Sequence, residues 1–295
     1  MSMDRAYRVA DELLKDRVRT HAPEALDELE RVTEDDVLVT TGCYDWIQSV
    51  FSHGGIRHRT VEPRVLEQVD LDPDQVVFVN CPGDFSRQGV HRLRQFVHDG
   101  GFLFTTDWAL KNVIEPAFPG YVEYNGRPTD DDVVQVEFAR TDDPFLESIV
   151  GPDDEPQWWL EGSSYPIRIL RPDDVEVLIH SRELERKYGE APVLVAFDFG
   201  AGRVYHMISH FYLQRTETRT ARQQESSTTY LREKGIPQAM WDKYQAMGAD
   251  ELSLGSVESA LMSQGTMKSI LHTRMRRKKE AKAAEAERRK RAEQD

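Results

Sequence analysis

Apolar residues come in short unbroken runs, separated by charged and turn-forming stretches. Val37-Leu38-Val39, Val76-Val77-Phe78-Val79 and Phe102-Leu103-Phe104 have the length and β-branched or aromatic content of strands buried on both faces of a parallel sheet. Asn80 to Gly83 ends the second run with turn residues. Gly89 to His98 then places Val90, Leu93, Phe96 and Val97 on one stripe, which predicts an amphipathic helix closed by Gly100-Gly101. A strand, a helix and a strand of this length make a right-handed parallel crossover. Upstream, Tyr7–Leu14 and Ala25–Val32 read as helical pieces broken near Pro23. Cys43-Tyr44-Asp45-Trp46 leads into a helix ending at His53, and Ile56–Val61 alternates as a second strand.

After Trp108 the pattern shortens. Tyr121–Tyr124 and Val133–Phe138 read as strands, and Pro144–Val150 as a helix with Asp142 or Asp143 as its N-cap. Gln157-Trp158-Trp159-Leu160 is aromatic, and Gly162-Ser163-Ser164-Tyr165 after it predicts a loop beside a pocket. Val175–Ile179 and Val193–Phe199 read as strands. Gly200-Ala201-Gly202 turns the latter into a returning strand, Arg203–Ser209, with His210 just beyond. This Gly-x-Gly lacks the third glycine and following helix of a dinucleotide fingerprint. Leu213–Thr229 is polar and reads as an exposed loop, Pro237–Met247 and Val257–Met275 as helices. The expected fold is α/β: a flavodoxin-like, doubly wound, mainly parallel sheet with a C-terminal β-hairpin and a helical extension. The expected organisation is a helical segment over 1–34, the α/β domain over 35–212, a polar loop over 213–230 and the helical extension with its basic tail over 231–295.

Composition narrows the setting. The 295 residues are 39% hydrophobic, enough for a sizeable core. No apolar run approaches the ~20 residues that span a bilayer. The charged N-terminal stretch does not read as a secretory signal, and two cysteines make no disulfide framework, so a reducing cytoplasm is expected. Net charge is -14, yet Arg274–Asp295 alone carries +5, leaving -19 on the body. So acidic a body repels phosphates, and nucleic acid is an expected partner only through the tail. The tail could equally meet an acidic protein or the body itself.

The carboxyl ends of the parallel strands hold the candidate chemistry, because ligands of such sheets sit there. In a 2-1-3-4-5 strand order, the strands leading to Cys43 and Cys81 are neighbours at the switch point. Candidate catalytic residues are Cys81, Asp107 and His210, and the sequence alone assigns none of them a role. Candidate ligand-binding residues are Cys43, Asp45, Asn80, Gly83, Asp84, Thr106 and Trp108, with polar groups and backbone donors below an aromatic wall to which Trp46 and Trp158 could add. An active thiolate at Cys81 needs a base or positive field, and Arg87 and His91 fall on the next helix. No metal site and no cofactor is expected: on a strand His206 and His210 would stand ~13 Å apart, too far to share an ion. Gly162-Ser163-Ser164-Tyr165 lacks the Gly-x-Ser-x-Gly elbow of serine hydrolases.

Val76–Trp108, with Pro192-Val-Leu-Val-Ala-Phe-Asp-Phe-Gly-Ala-Gly-Arg-Val-Tyr-His-Met-Ile-Ser-His210, resembles the class I glutamine-amidotransferase-like superfamily, nearest its trehalose-utilisation (ThuA-like) branch. The resemblance spans roughly Asp36–Phe211. It implies that the turn after Phe102–Phe104 is the elbow where catalytic members carry a cysteine nucleophile, and that His210 stands at the catalytic histidine. Here the elbow reads Thr105-Thr106-Asp107-Trp108, without cysteine, and Phe211-Tyr212-Leu213 replaces the Pro-x-Glu after the histidine. Cys81 falls where the family has a Pro-Gly-Gly loop. The resemblance therefore implies the fold and argues against glutaminase chemistry.

The expected function is a non-catalytic module that binds a small molecule in the crevice, or another protein through the C-terminal extension. Two alternatives stand beside it: a hydrolase or transferase using Cys81, Asp107 or His210, which requires those side chains to converge, and a nucleic-acid binder acting through the basic tail.

Overall fold

The computed structural model describes residues 2–139, 143–149, 156–211 and 220–292, except the side chains of 2, 285, 289 and 292. The described residues form twelve strands: β1 (Val37–Thr40), β2 (Arg59–Val61), β3 (Val76–Val79), β4 (Phe102–Thr106), β5 (Val122–Tyr124), β6 (Asp132–Gln135), β7 (Glu137–Phe138), β8 (Gln157–Leu160), β9 (Ile167–Ile169), β10 (Glu176–His180), β11 (Pro192–Phe199) and β12 (Gly202–Met207). Eight make the central sheet, in the order β2-β1-β3-β4-β12-β11-β10-β7. The first five run parallel, and β11, β10 and β7 are added antiparallel. The chain thus forms a mixed α/β structure on a mainly parallel sheet. β5 pairs with β9 and β6 with β8 in two small ribbons.

The helices, in chain order, are α1 (Ser2–His21), α2 (Pro23–Glu30), α3 (Ile47–His53), α4 (Pro63–Leu66), α5 (Arg87–His98), α6 (Glu115–Ala117), α7 (Pro144–Ile149), α8 (Arg182–Tyr188), α9 (Ser227–Glu233), α10 (Trp241–Ala246) and α11 (Leu254–Ala292). β1, β3 and β4 are buried at every position, which explains their unbroken apolar runs. Ser86 caps α5 by accepting the Gly89 N–H. Asp143, the second of the two expected caps, accepts the N–H groups of Phe145 and Leu146, while Asp142 and Val150 lie outside the described residues. In the β11–β12 hairpin Phe199 faces Gly202 across the turn. Only glycine fits at 202, because a Cβ would stand 2.2 Å from the carbonyl oxygens of Val97 and Gly101.

The sequence pattern is most misleading in the C-terminal third. The expected helical extension proves to be a core element: every residue of α11 from Leu254 to Leu271 is buried, and α1 and α11 pack together within the same hydrophobic core as the sheet. Its polar residues hid this, because each such side chain reads as a solvent-facing position. Several instead bond inside. Gln264 donates to the Val50 carbonyl, Ser263 to those of Ser259 and Phe211, and Lys268 meets Asp11 of α1. The basic stretch beyond partly docks on the acidic body: Arg274 and Lys278 pair with Asp74, Arg277 with Asp198, and Lys279 with Glu28. Of the expected polar loop, 213–219 lies outside the described residues. Beyond it Thr220, Ala221 and Gln224–Ser226 are exposed, whereas Gln223 is fully buried and so is Ser227, where α9 begins.

Glu258 of α11 is also buried, 3.5 Å from Arg222, with Lys234 and Glu233 close enough to act on it. Burial outweighs the Arg222 and Lys234 charges and raises its pKa from 4.5 to about 7. A carboxyl raised on folding binds its proton more tightly in the native than in the unfolded chain. It therefore costs stability as pH climbs from about 4.5 to about 7, in total roughly 3 kcal/mol. Urea denaturation of Glu258→Gln is expected to lack this decline, so the variant gains on the wild type by about that amount between pH 4 and pH 8. Parallel pH profiles of the two would exclude it.

Candidate functional site

Three strand ends meet at one point. β4 runs out at Thr106, and the chain turns at Asp107 with φ +45°, held by the Asp107 N–H donating to the Met207 carbonyl at 3.0 Å. A positive φ is unusual for a residue with a Cβ and marks a strained turn. β12 continues through Ile208 and Ser209, also at positive φ (+65°), to His210. β3 continues through Asn80 to Cys81, whose N–H donates to Thr106 Oγ1 at 3.1 Å.

As a result the ligand atoms of Cys81, Asp107 and His210 all lie within 4.8 Å of one another, and all three residues are buried. His210 Nε2 stands 3.3 Å from Asp107 Oδ2 without a hydrogen-bond partner. Its Nδ1 is 2.8 Å from Glu161 Oε2. Asp107 is itself fixed, Oδ1 accepting the Tyr165 N–H at 2.8 Å and Oδ2 the Ser164 hydroxyl at 3.1 Å.

Electrostatics couple these groups. Burial opposes a charge on His210, but its contacts with Asp107, Cys81 and Glu161, and the field of Asp45, prevail and hold its pKa well above the ordinary value. Burial pushes the Cys81 thiol up, and His210 draws it partly back. Burial likewise raises Asp45, against the pull of His210 and of its bonds to Thr106, Phe211 and Trp46. His206 is separate: it lies buried on β12 with Nδ1 against Thr105 Oγ1 at 2.7 Å, and burial pulls its pKa down to about 3.

The other expected ligand-binding residues divide. Trp108 is half-buried, its indole N–H donating to the Ser163 carbonyl at 2.7 Å, and it heads an aromatic row. Tyr44 meets it edge-on at 5.2 Å, Tyr165 stacks on it at 5.7 Å, and Tyr124 stacks on Tyr165 at 4.0 Å. Thr106, Asp45 and Asn80 are buried struts. Asn80 accepts the Ile47 N–H and donates to the Thr40 carbonyl and Gln48, so its side chain anchors the loop after β1. Asp45 accepts the N–H groups of Trp46 and Phe211 beneath His210. Gly83 closes the turn after Cys81 at φ +69°, against Val113 and Ala109. Asp84 is exposed, and so is Cys43, whose N–H donates to the Cys81 carbonyl at 3.0 Å. Trp158 is core rather than wall, its ring 5.2 Å from Phe211.

Glu161 is the residue that sequence reasoning missed. It follows β8 directly, and Ser209 Oγ accepts its N–H at 2.9 Å, which carries its carboxylate to His210. No local pattern marks it, since the partner is 49 residues away. A groove of about 590 Å³ lies elsewhere, between α11 and the antiparallel strands. Its Arg203 and Arg277 are already paired with Glu176 and Asp198.

No protein-family model and no curated protein matches the chain. Solved structures do. The cytoplasmic protein STM3548 from Salmonella typhimurium is 11% identical over 74% of this chain and 99% of its own, with TM-score 0.43. A protein described as thua-like from Bacteroides uniformis is 11% identical over 60% of this chain and 82% of its own, at 0.39. The exo-beta-1,4-mannosidase Op5Man5 from an Opitutaceae bacterium is 12% identical over 80% of this chain and 39% of its own, at 0.40. The chain spans about two fifths or less of the length of this and the similar β-galactosidases. At these identities and TM-scores the likenesses assign neither a family nor an activity. No helix among the described residues is long and apolar enough to cross a membrane.

Proposed function

We propose that this chain is a flavodoxin-like, amidotransferase-like module whose crevice binds a small polar molecule and does not hydrolyse glutamine. The observation that carries the reading is Asp107 at the elbow, where the resembled enzymes hold a thiolate. Its carboxylate is engaged by Ser164 and Tyr165, and a carboxylate so held is a poor attacking group. The row Trp108, Tyr165 and Tyr124 supplies an apolar wall, and Glu161 a half-exposed polar edge, the mixture common to small-molecule pockets. The expected result is no ammonia release from L-glutamine, and quenching of tryptophan fluorescence by one member of a panel of sugars and amino acids, lost in Trp108→Phe. Glutamine turnover abolished by His210→Ala or Cys81→Ala would overturn the reading.

The convergence of Cys81, Asp107 and His210 favours a second reading, a hydrolase or transferase in which His210 moves protons at the crevice floor. It requires turnover of the bound ligand, lost in His210→Gln with binding retained. The free thiols Cys43 and Cys81 suit a cytoplasmic setting. The exposed end of α11 beyond Lys279 is proposed as a contact for another protein, with removal of 280–295 expected to abolish that contact and spare the crevice.

A further inference from the structure

We infer that Cys81, Asp107 and His210 supply three ligands of a tetrahedral site for a divalent transition-metal ion of zinc's kind. The inference concerns the same crevice as the proposed function but not its ligand.

The three side chains offer one sulfur, one oxygen and one nitrogen donor within 4.8 Å of each other. In a tetrahedral zinc site, ligand bonds of about 2.0–2.2 Å for nitrogen and oxygen put those two donors ~3.4 Å apart. His210 Nε2 and Asp107 Oδ2 are separated by 3.3 Å. That nitrogen is buried, and no hydrogen bond of good geometry satisfies it. The thiolate edges of such a site are ~3.6 Å, so Cys81 closes by little more than an ångström. A donor set of thiolate, imidazole and carboxylate suits zinc and its neighbours, and the thiolate argues against magnesium or calcium, which take oxygen.

The surroundings support the same assignment. Metal-bound histidines commonly place the other ring nitrogen against a carboxylate, which fixes orientation and tautomer. Glu161 does this to His210 Nδ1 at 2.8 Å. Ser164 and the Tyr165 N–H hold Asp107, and the backbone N–H of Trp108 faces the Cys81 sulfur. A thiolate and a carboxylate buried together carry two negative charges, which a divalent ion balances.

The test is titration of the metal-free full-length chain with Co²⁺, followed by visible and near-ultraviolet absorption. The expected result is one ion per chain, the strong visible bands of a tetrahedral site and a thiolate-to-cobalt charge-transfer band, all displaced by Zn²⁺. Cys81→Ser removes the charge-transfer band and Cys43→Ser leaves it. Circular dichroism establishes that each variant folds. Glu161→Gln, which removes no ligand, keeps the band and weakens affinity by ~10–100-fold; a merely structural role for Glu161 leaves affinity unchanged. Absence of the band in the wild type at saturating Co²⁺, or its survival in Cys81→Ser, overturns the inference. A chain that binds cobalt but no crevice ligand overturns the proposed function alone, and the reverse overturns this inference alone.

Discussion

Trp158→Ala is expected to lower stability by about 3–5 kcal/mol in urea denaturation and to loosen the crevice floor with it. The indole is 1% exposed, its ring meets Phe211 edge-on, and its N–H donates to the Ile208 carbonyl at 3.1 Å. Truncation leaves a cavity under Ile208–Phe211, the segment that sets His210. Trp158→Phe is the control. It keeps most of the buried area and loses one hydrogen bond, about 1 kcal/mol. Equal losses in the two variants would mean that the hydrogen bond, not the packing, supports the segment.

Lys268→Met comes next, at about 3 kcal/mol. Lys268 of α11 is 2% exposed and Asp11 of α1 is 4% exposed, and the two pair across the helix interface. Removing one partner of a buried pair costs about 3–5 kcal/mol, because the remaining charge stays desolvated. The lower end applies here, since Lys15 also reaches Asp11 at 2.6 Å from a partly exposed position. The double variant Asp11→Leu with Lys268→Met removes both charges and is expected to recover most of the loss. If it is as unstable as the sum of its parts, desolvation is not the source of the cost.

Part of this architecture was legible along the chain. β1, β3 and β4 announce themselves because a strand covered on both faces has no polar positions to interrupt it. The hairpin at Gly200-Ala201 and the end of α5 at Gly100-Gly101 follow from local backbone chemistry. The elbow, Cys81 and His210 could be named as candidates because strand ends in such sheets face the crevice. What stayed hidden depends on distant partners. Glu161 owes its position to Ser209, and the Asn80 side chain ties down the loop after β1 through Thr40 and Gln48. The buried half of α11 carries serine, glutamine, lysine and glutamate, and only the tertiary bonds of those side chains show why they are inside. For the same reason spacing along the chain does not bring Cys81, Asp107 and His210 together: their donors come from three separate strand ends.

The placement of α11 also bears on synthesis. The sheet and Phe211 leave the ribosome before the helix that packs on α1, and Tyr7 of α1 meets Ser263 only then. Until Leu254 and the residues after it have emerged, the apolar positions that α11 covers stay open to solvent, a surface prone to association. A ribosome stalled before that point yields a client for chaperones rather than a shorter working protein.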